Sequence, residues 1–190
     1  MYELNGSVIK DGNLLISPCT DDYELAKTYI EFHEQGILKY WFHQGIPNLS
    51  FFVARMLESQ SVCLKTEIVE NGYKRIIGLG HVDKPMATSS TRPYTKSELS
   101  EAFVRCIPPQ VTLHGAELMI EYAFLVTGCR VFYGTTPERN RAALRFMKAL
   151  GFEYMKEPLP YYTSYNGEEC GVILSWMTRE RWQEKEFSKV

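Results

Sequence analysis

The chain has 190 residues, 45% of them hydrophobic and 23% charged, with a formal net charge of −2. That is enough chain and enough apolar surface for one domain with a buried core, and it excludes a disordered or collagen-like protein. The near-zero charge gives no electrostatic footprint for nucleic acid, and no apolar run reaches membrane-spanning length.

Five cysteines, Cys19, Cys63, Cys106, Cys129 and Cys170, are odd in number and far apart. With no C-x-x-C pair, neither a disulfide framework nor a zinc knuckle is supported, and reduced thiols fit a cytoplasmic protein. The opening MYELNGSVIKDG lacks a basic segment followed by an apolar one, so no secretory leader is expected.

In chain order, NLLISP (13–18) reads as a strand, and Asp21 or Asp22 caps a helix running to about Phe32. The aromatic-rich ILKYWFHQGIP (37–47) reads as helical or irregular. LSFFVARMLES (49–59) reads as a helix, with Phe52, Ala54, Met56 and Leu57 as candidates for its buried face. Two β-rich runs then flank Asn71-Gly72, the pair that favours a type I′ turn, which predicts a hairpin.

Pro85 to Lys96 is small, polar and punctuated by proline, and reads as a loop. EAFVRCI (101–107) reads as a strand stopped by Pro108-Pro109. From about His114 to Thr127, Ala116, Met119, Ile120, Ala123 and Val126 recur at helical spacing, with Gly128 placed to end the helix.

RVFYG (130–134) is a strand, followed by the helix in ERNRAALRFMKALGFEYMKE (138–157). There Asn140 is suited to cap, Ala143, Phe146, Met147 and Leu150 form one apolar face, and Gly151 can stop the helix. FEYMK and CGVILSWM read as strands joined by a loop with a second turn at Asn166-Gly167. The tail, 178–190, reads as a peripheral, frayed helix.

The expected order is β-α-α-β-β-β-α-β-α-β-β in a single domain spanning 1–190. It predicts an α/β (α+β) fold: a mixed, mostly antiparallel central sheet flanked by helices, with a central β-α-β unit.

The consecutive stretches VFYGTTPERN, RAALRFMKAL and GFEYM, in that element order, resemble the GNAT superfamily of acyl-CoA-dependent N-acetyltransferases. In that family a strand, a short loop with Asn, a helix and a Gly-Phe pair lead into the next strand. The resemblance implies acetyl-CoA as donor and an amine of a small molecule or protein as acceptor.

It also implies a pyrophosphate loop, Arg/Gln-x-x-Gly-x-Gly/Ala, whose amides hold the anion at a helix N-terminus. The matching place is PPQVTLHGAELM. Gln110 and Gly115 fit the first and last positions while Leu113 takes the middle one; in a second register Gly115 is central, between Thr112 and Glu117. The implied donor site is then Val104, Cys106 and Ile107 on the strand end, Gln110, Val111, Leu113, His114, Gly115 and Ala116 in the loop, and Asn140. His114 is either a phosphate donor or a polar surface residue.

For the chemistry, Glu101 is the best-placed base, or else an exposed residue at a strand entrance. His81 is a second base candidate, or a structural histidine. Met147 stands where the family often has a tyrosine acid, so Tyr162, with Tyr161 and Tyr165 beside it, is the substitute candidate. No metal site is expected: Asp21-Asp22 reads as a cap, and His33 and His43 lack companion ligands.

The competing expectation is a catalytically inactive GNAT-fold interaction or assembly protein of the short phage-encoded type. In it KYWFHQGIPNLSFF would be a partner surface, or else core. A free β-edge by the C-terminal hairpin would allow a homodimer.

Overall fold

The computed structural model describes the backbone of residues 3–5, 8–42, 45–83, 86–87 and 95–187. His43, most of Pro85–Lys96 and the side chain of Tyr161 fall outside the described residues. Three strands precede the first helix where one was expected: β1 (Glu3–Asn5), β2 (Val8–Asp11) and β3 (Leu14–Pro18). The first two are too short to show an alternating pattern, and they pair antiparallel in sequence onto β3.

Asp21 caps α1 (Asp22–Glu34), accepting the Glu24 N–H at 2.9 Å. α2 (Leu38–Trp41) is a single turn, and α3 (Leu49–Met56) is capped by Asn48. Phe52 and Met56 bury one face of α3, but Ala54 and Leu57 are exposed, since the helical period carries them away from that stripe. Trp41 and Phe42 pack around Phe52, and Trp41 also meets Phe32. Phe52 is core and Trp41 and Phe42 pack half-buried against it, whereas Ile46, Leu49 and Phe51 of the same segment stay exposed, Phe51 by 61%.

β4 (Val62–Glu70) and β5 (Tyr73–Val82) form the expected hairpin, with Asn71 and Gly72 at φ 51° and 82°. β6 (Met86–Ala87) pairs with β7 (Thr95–Phe103). β7 starts at Thr95 rather than Glu101, because its early buried residues, Ser97 and Leu99, sit among polar neighbours that hide the alternation.

α4 (Pro109–Thr127) starts at Pro109 rather than His114: proline fits the first helical turn, where no amide partner is needed. Ala116, Met119, Ile120 and Ala123 are buried, Val126 is exposed, and Gly128 closes the helix at φ 66°.

After β8 (Val131–Pro137) and α5 (Arg141–Leu150) come β9 (Glu153–Tyr154), β10 (Leu159–Tyr165), β11 (Glu168–Thr178) and α6 (Arg179–Phe187). The Asn166-Gly167 turn joins β10 to β11, so the segment expected as a loop is an edge strand. All five cysteines are free thiols. Cys19 and Cys63, distant in sequence, are neighbours on adjacent segments of the chain, the Cys19 N–H donating to the Cys63 carbonyl at 2.9 Å.

The strands form one mixed sheet in the order β1-β2-β3-β4-β5-β7-β8-β11-β10, with β6 and β9 attached to β7 and β11. Among the described residues only β7 and β8 run parallel, connected through α4. One face carries α1 to α3: Lys65 of β4 bonds Glu24 of α1 at 2.7 Å. The other carries α4 and α5: a Cβ at Gly115 would sit 3.1 Å from the Thr66 methyl, and Phe103 meets Phe146 edge-on. No helix among the described residues is long and apolar enough to cross a membrane.

Candidate active site

β7 and β8 stay in register only over Lys96–Val131, Ser97–Phe132 and Glu98–Tyr133. Past that point Leu99 to Phe103 remain paired with β5, while Gly134 to Pro137 remain paired with β11. The two strands part, and the gap is a cleft of about 250 Å³. Its walls come from both faces of the sheet: Tyr40 and Trp41 of α2 on one side, Ala143, Phe146 and Met147 of α5 on the other. Gly134 lets the chains begin to part closely, since a Cβ there would lie 3.2 Å from the Leu99 carbonyl oxygen.

The parting leaves main-chain groups unpaired on β7. Val104 donates its N–H to the Ile77 carbonyl at 2.9 Å, so Val104 and, by alternation, Ala102 face β5. Glu101 and Phe103 then turn their N–H and C=O groups into the gap. This differs from the expectation at Val104 to Ile107: Val104 is buried with its amide engaged, and the Arg105 N–H donates to Gln35 Oε1 at 2.9 Å. Cys106 is exposed and Ile107 packs partly against the core.

α5 sits against the cleft as its sequence predicts. Asn140 is buried, accepts the Ala143 N–H at 3.2 Å and lines the cleft. Gly151, at φ 91°, ends the helix, with its N–H on the Lys148 carbonyl and the Phe152 N–H on the Met147 carbonyl. Leu150 is fully buried, whereas Ala143, Phe146 and Met147 are half-buried and form an apolar wall of the cleft, Phe146 and Met147 also packing against the core.

Glu101 lies inside the cleft, opposite Gly80 of β5. Cross-strand partners share a face. The Gly80 face is covered by α4, where a Cβ would meet Met119 Sδ at 2.0 Å, so Glu101 points to the α4/α5 side. Its Oε1 is buried without a hydrogen-bond partner, and burial pushes the carboxyl up to about 8.

His81 is 4% exposed and pairs with Ser100, the neighbour of Glu101, so it faces the α1–α3 side instead. Its Nδ1 lies 3.1 Å from Asp83 Oδ1, and its Nε2 is buried with no partner. Asp83 also receives Arg55 at 2.6 Å, and the hydrogen bond from His81 holds its carboxyl below the ordinary range. In the neutral ring this arrangement puts the proton on Nδ1 and leaves the lone pair on Nε2.

His81, Asp83 and Glu98 line a second hollow of about 480 Å³ next to the first, with Trp41 and Phe51 among its walls. Burial, then the nearby Asp83 charge, raises the Glu98 carboxyl. Glu98 and Asp83 went unnoticed in the sequence. For Glu98 the available signal was its place three residues before Glu101 in SELSEAF, which a strand puts on opposite faces; Asp83 carried no such signal.

The pyrophosphate loop does not take the form expected of it. Gln110 to Ala116 all lie within α4. Gly115 and Ala116 are buried, Val111 and Leu113 pack against the core, and Gly115 is small because Thr66 and Phe103 press on it. His114 is held by a carboxylate, its Nε2 3.0 Å from Asp11 Oδ2.

The helix N-terminus begins with Pro108 and Pro109, which have no N–H, and the Val111 and Thr112 amides return to the Pro108 carbonyl. Of the first turn, the Gln110 N–H remains to meet an anion.

Tyr162 is 72% exposed on the edge strand β10 and lines neither hollow. Tyr40, not singled out in the sequence, lines the cleft, and the Lys39 ammonium beside it, with Arg105, lowers its phenol. Among the described residues no group of three or more His, Cys, Asp or Glu side chains is placed to hold a metal ion.

No family model matches the sequence, and no curated protein sequence matches it. Solved structures do. Spermidine N-acetyltransferase from Vibrio cholerae, solved with CoA and spermine, superposes with a TM-score of 0.71 at 12% identity, covering 91% of this chain and 99% of that one. Ribosomal-protein-S5-alanine acetyltransferase from Vibrio fischeri gives 0.68 at 12% identity, over 92% and 98%. A GNAT-family acetyltransferase from Bacillus anthracis gives 0.65 at 16% identity, over 91% and 99%. The fold is that of the GNAT acetyltransferases.

Proposed function

We propose that the protein transfers an acyl group from a CoA-type thioester to an amine. One observation carries the reading: the gap between β7 and β8 exposes unpaired main-chain groups between two unlike sets of side chains. A bound donor supplies an activated acyl carbonyl; the chain supplies everything that positions and deprotonates around it.

The Glu101 or Phe103 N–H polarises that carbonyl from the strand edge. His81 Nε2, oriented by Asp83, takes the proton of an amine arriving from the α1–α3 side. Asp83, Glu98 and the aromatic rings of the second hollow suit a cationic amine, of a small molecule or a protein. The free thiols fit a reducing, cytoplasmic setting. The exposed edge of β10 is the surface on which a second copy of the chain would pair.

A second reading has a specific observation in its favour. The α4 N-terminus, short of amides, is what a non-catalytic interaction or assembly protein on this fold, phage-encoded or otherwise, would retain. Titration with acetyl-CoA separates the two. A dissociation constant tighter than about 100 μM raises the melting temperature at millimolar donor, and CoA release with an amine panel then identifies the acceptor. The absence of both heat and a melting shift at millimolar acetyl-CoA would sink the enzyme reading and leave the second.

A further inference from the structure

The geometry points to Glu101 as the proton donor to the leaving sulfur, a role opposite to that of a base. The assignment rests on the acyl-transfer reading above and deepens it. Three observations carry it. The β5–β7 register turns Glu101 to the α4/α5 side, away from His81, so the two groups serve different ends of the reaction. Glu101 Oε1 is buried, faces no partner, and sits in a cleft whose wall on that side is Phe146 and Met147. Neither of those side chains has a proton to give, so the thiolate would otherwise leave unprotonated into an apolar wall.

The other titratable groups lining this cleft are Glu98 and Tyr40. Tyr40 is on α2, and Glu98 lies within electrostatic reach of His81 and Asp83. From β5 the facing residue is Gly80, and β8 and α5 present no ionisable side chain to the cleft. Desolvation raises the Glu101 carboxyl to about 8, so the proton is largely retained at neutral pH.

In the step itself Glu101 gives its proton to sulfur as the carbon–sulfur bond breaks and the carbon–nitrogen bond forms. A cationic amine first gives one proton to solvent; His81 takes the second, which the amine loses as the carbon–nitrogen bond forms. One proton enters and one leaves, and solvent returns the pair to its starting state.

The experiment compares wild type, Glu101→Gln and Glu101→Asp across pH with acetyl-CoA and an accepted amine, and adds infrared spectra of the ligand-free proteins. The expected spectrum has a protonated-carboxyl band at neutral pH that titrates near 8 in wild type and is missing in E101Q. The expected kinetics are a kcat that falls above about pH 8 in wild type, a loss of about 10²-fold or more in E101Q with that alkaline limb gone, and a limb retained at a shifted pH in E101D.

Wild-type kcat in E101Q, an alkaline limb that persists there, or a rate that rises through pH 8 with Glu101 ionisation would overturn the assignment alone. Should E101Q not fold, the wild-type band and the E101D limb decide, and their absence overturns it. No transfer by wild type to any amine overturns the acyl-transfer reading as well.

Discussion

His81 and Glu101 are separated by one step of the sheet yet look in opposite directions: His81 pairs with Ser100 and Glu101 with Gly80. Because a strand alternates faces, two groups that both look like bases in sequence are assigned to two adjoining hollows on opposite faces of the sheet. Each has an unpartnered buried polar atom, so each is desolvated and available.

From this follows a test of the acceptor side. His81→Gln keeps a polar side chain but removes a titratable base, and kcat/KM is expected to fall about 10²- to 10⁴-fold with the fold intact. Asp83→Asn is expected to lose part of that rate, since Nδ1 loses its carboxylate and the tautomer is no longer held. Steady-state kinetics with the best amine check both. Wild-type kcat/KM in H81Q would move the base elsewhere.

Glu101 also makes a prediction about stability, with a definite sign. A carboxyl raised from 4.5 to about 8 in the folded state binds its proton more tightly there than in the unfolded chain. Its contribution is therefore fully present below about pH 4.5 and is lost as pH rises toward 8. Relative to wild type, Glu101→Gln is expected to gain stability over that window, by up to a few kcal/mol at pH 8. Urea denaturation of both proteins from pH 5 to 8 measures the difference, and parallel curves would mean the carboxyl is better solvated than its burial implies.

The sequence was informative where a local rule sufficed. The Asn140 cap, the Gly151 stop and both Asn-Gly turns are one-residue decisions of backbone chemistry, and all four stand in the structure. What stayed illegible depended on contacts made across the chain. β1, β2 and β10 are strands only because a neighbour supplies their hydrogen bonds. Gly115 matched a phosphate motif, but its size is dictated by Thr66 and Phe103, which no local pattern reveals. The Glu98, Asp83 and His81 grouping needs the β5–β7 register and could not be read from spacing alone.

Gly115 is accordingly a packing position, and substituting it tests the fold rather than the donor. Gly115→Glu would push a carboxylate against the Thr66 methyl and the Phe103 ring, with no partner. It is expected to destabilise the protein by about 3 kcal/mol or more, and circular dichroism and thermal melting would show it. A G115E protein that melts like wild type would mean α4 stands further from the sheet than this packing has it.

Donor binding is better tested at the start of α4. Pro109 occupies a position whose amide, in another residue, would point out of the helix end at an anion, and Pro108 before it is equally without a donor. Pro109→Ala adds one N–H while keeping a good helix former, so it is expected to tighten acetyl-CoA binding by about tenfold, the effect of one charge-assisted hydrogen bond of about 1.4 kcal/mol. Gln110→Glu places a negative side chain at the same terminus and is expected to weaken binding. Calorimetry of wild type and both variants decides. If all three bind alike with α4 intact, the donor phosphates lie elsewhere, and the proline pair has no bearing on the affinity.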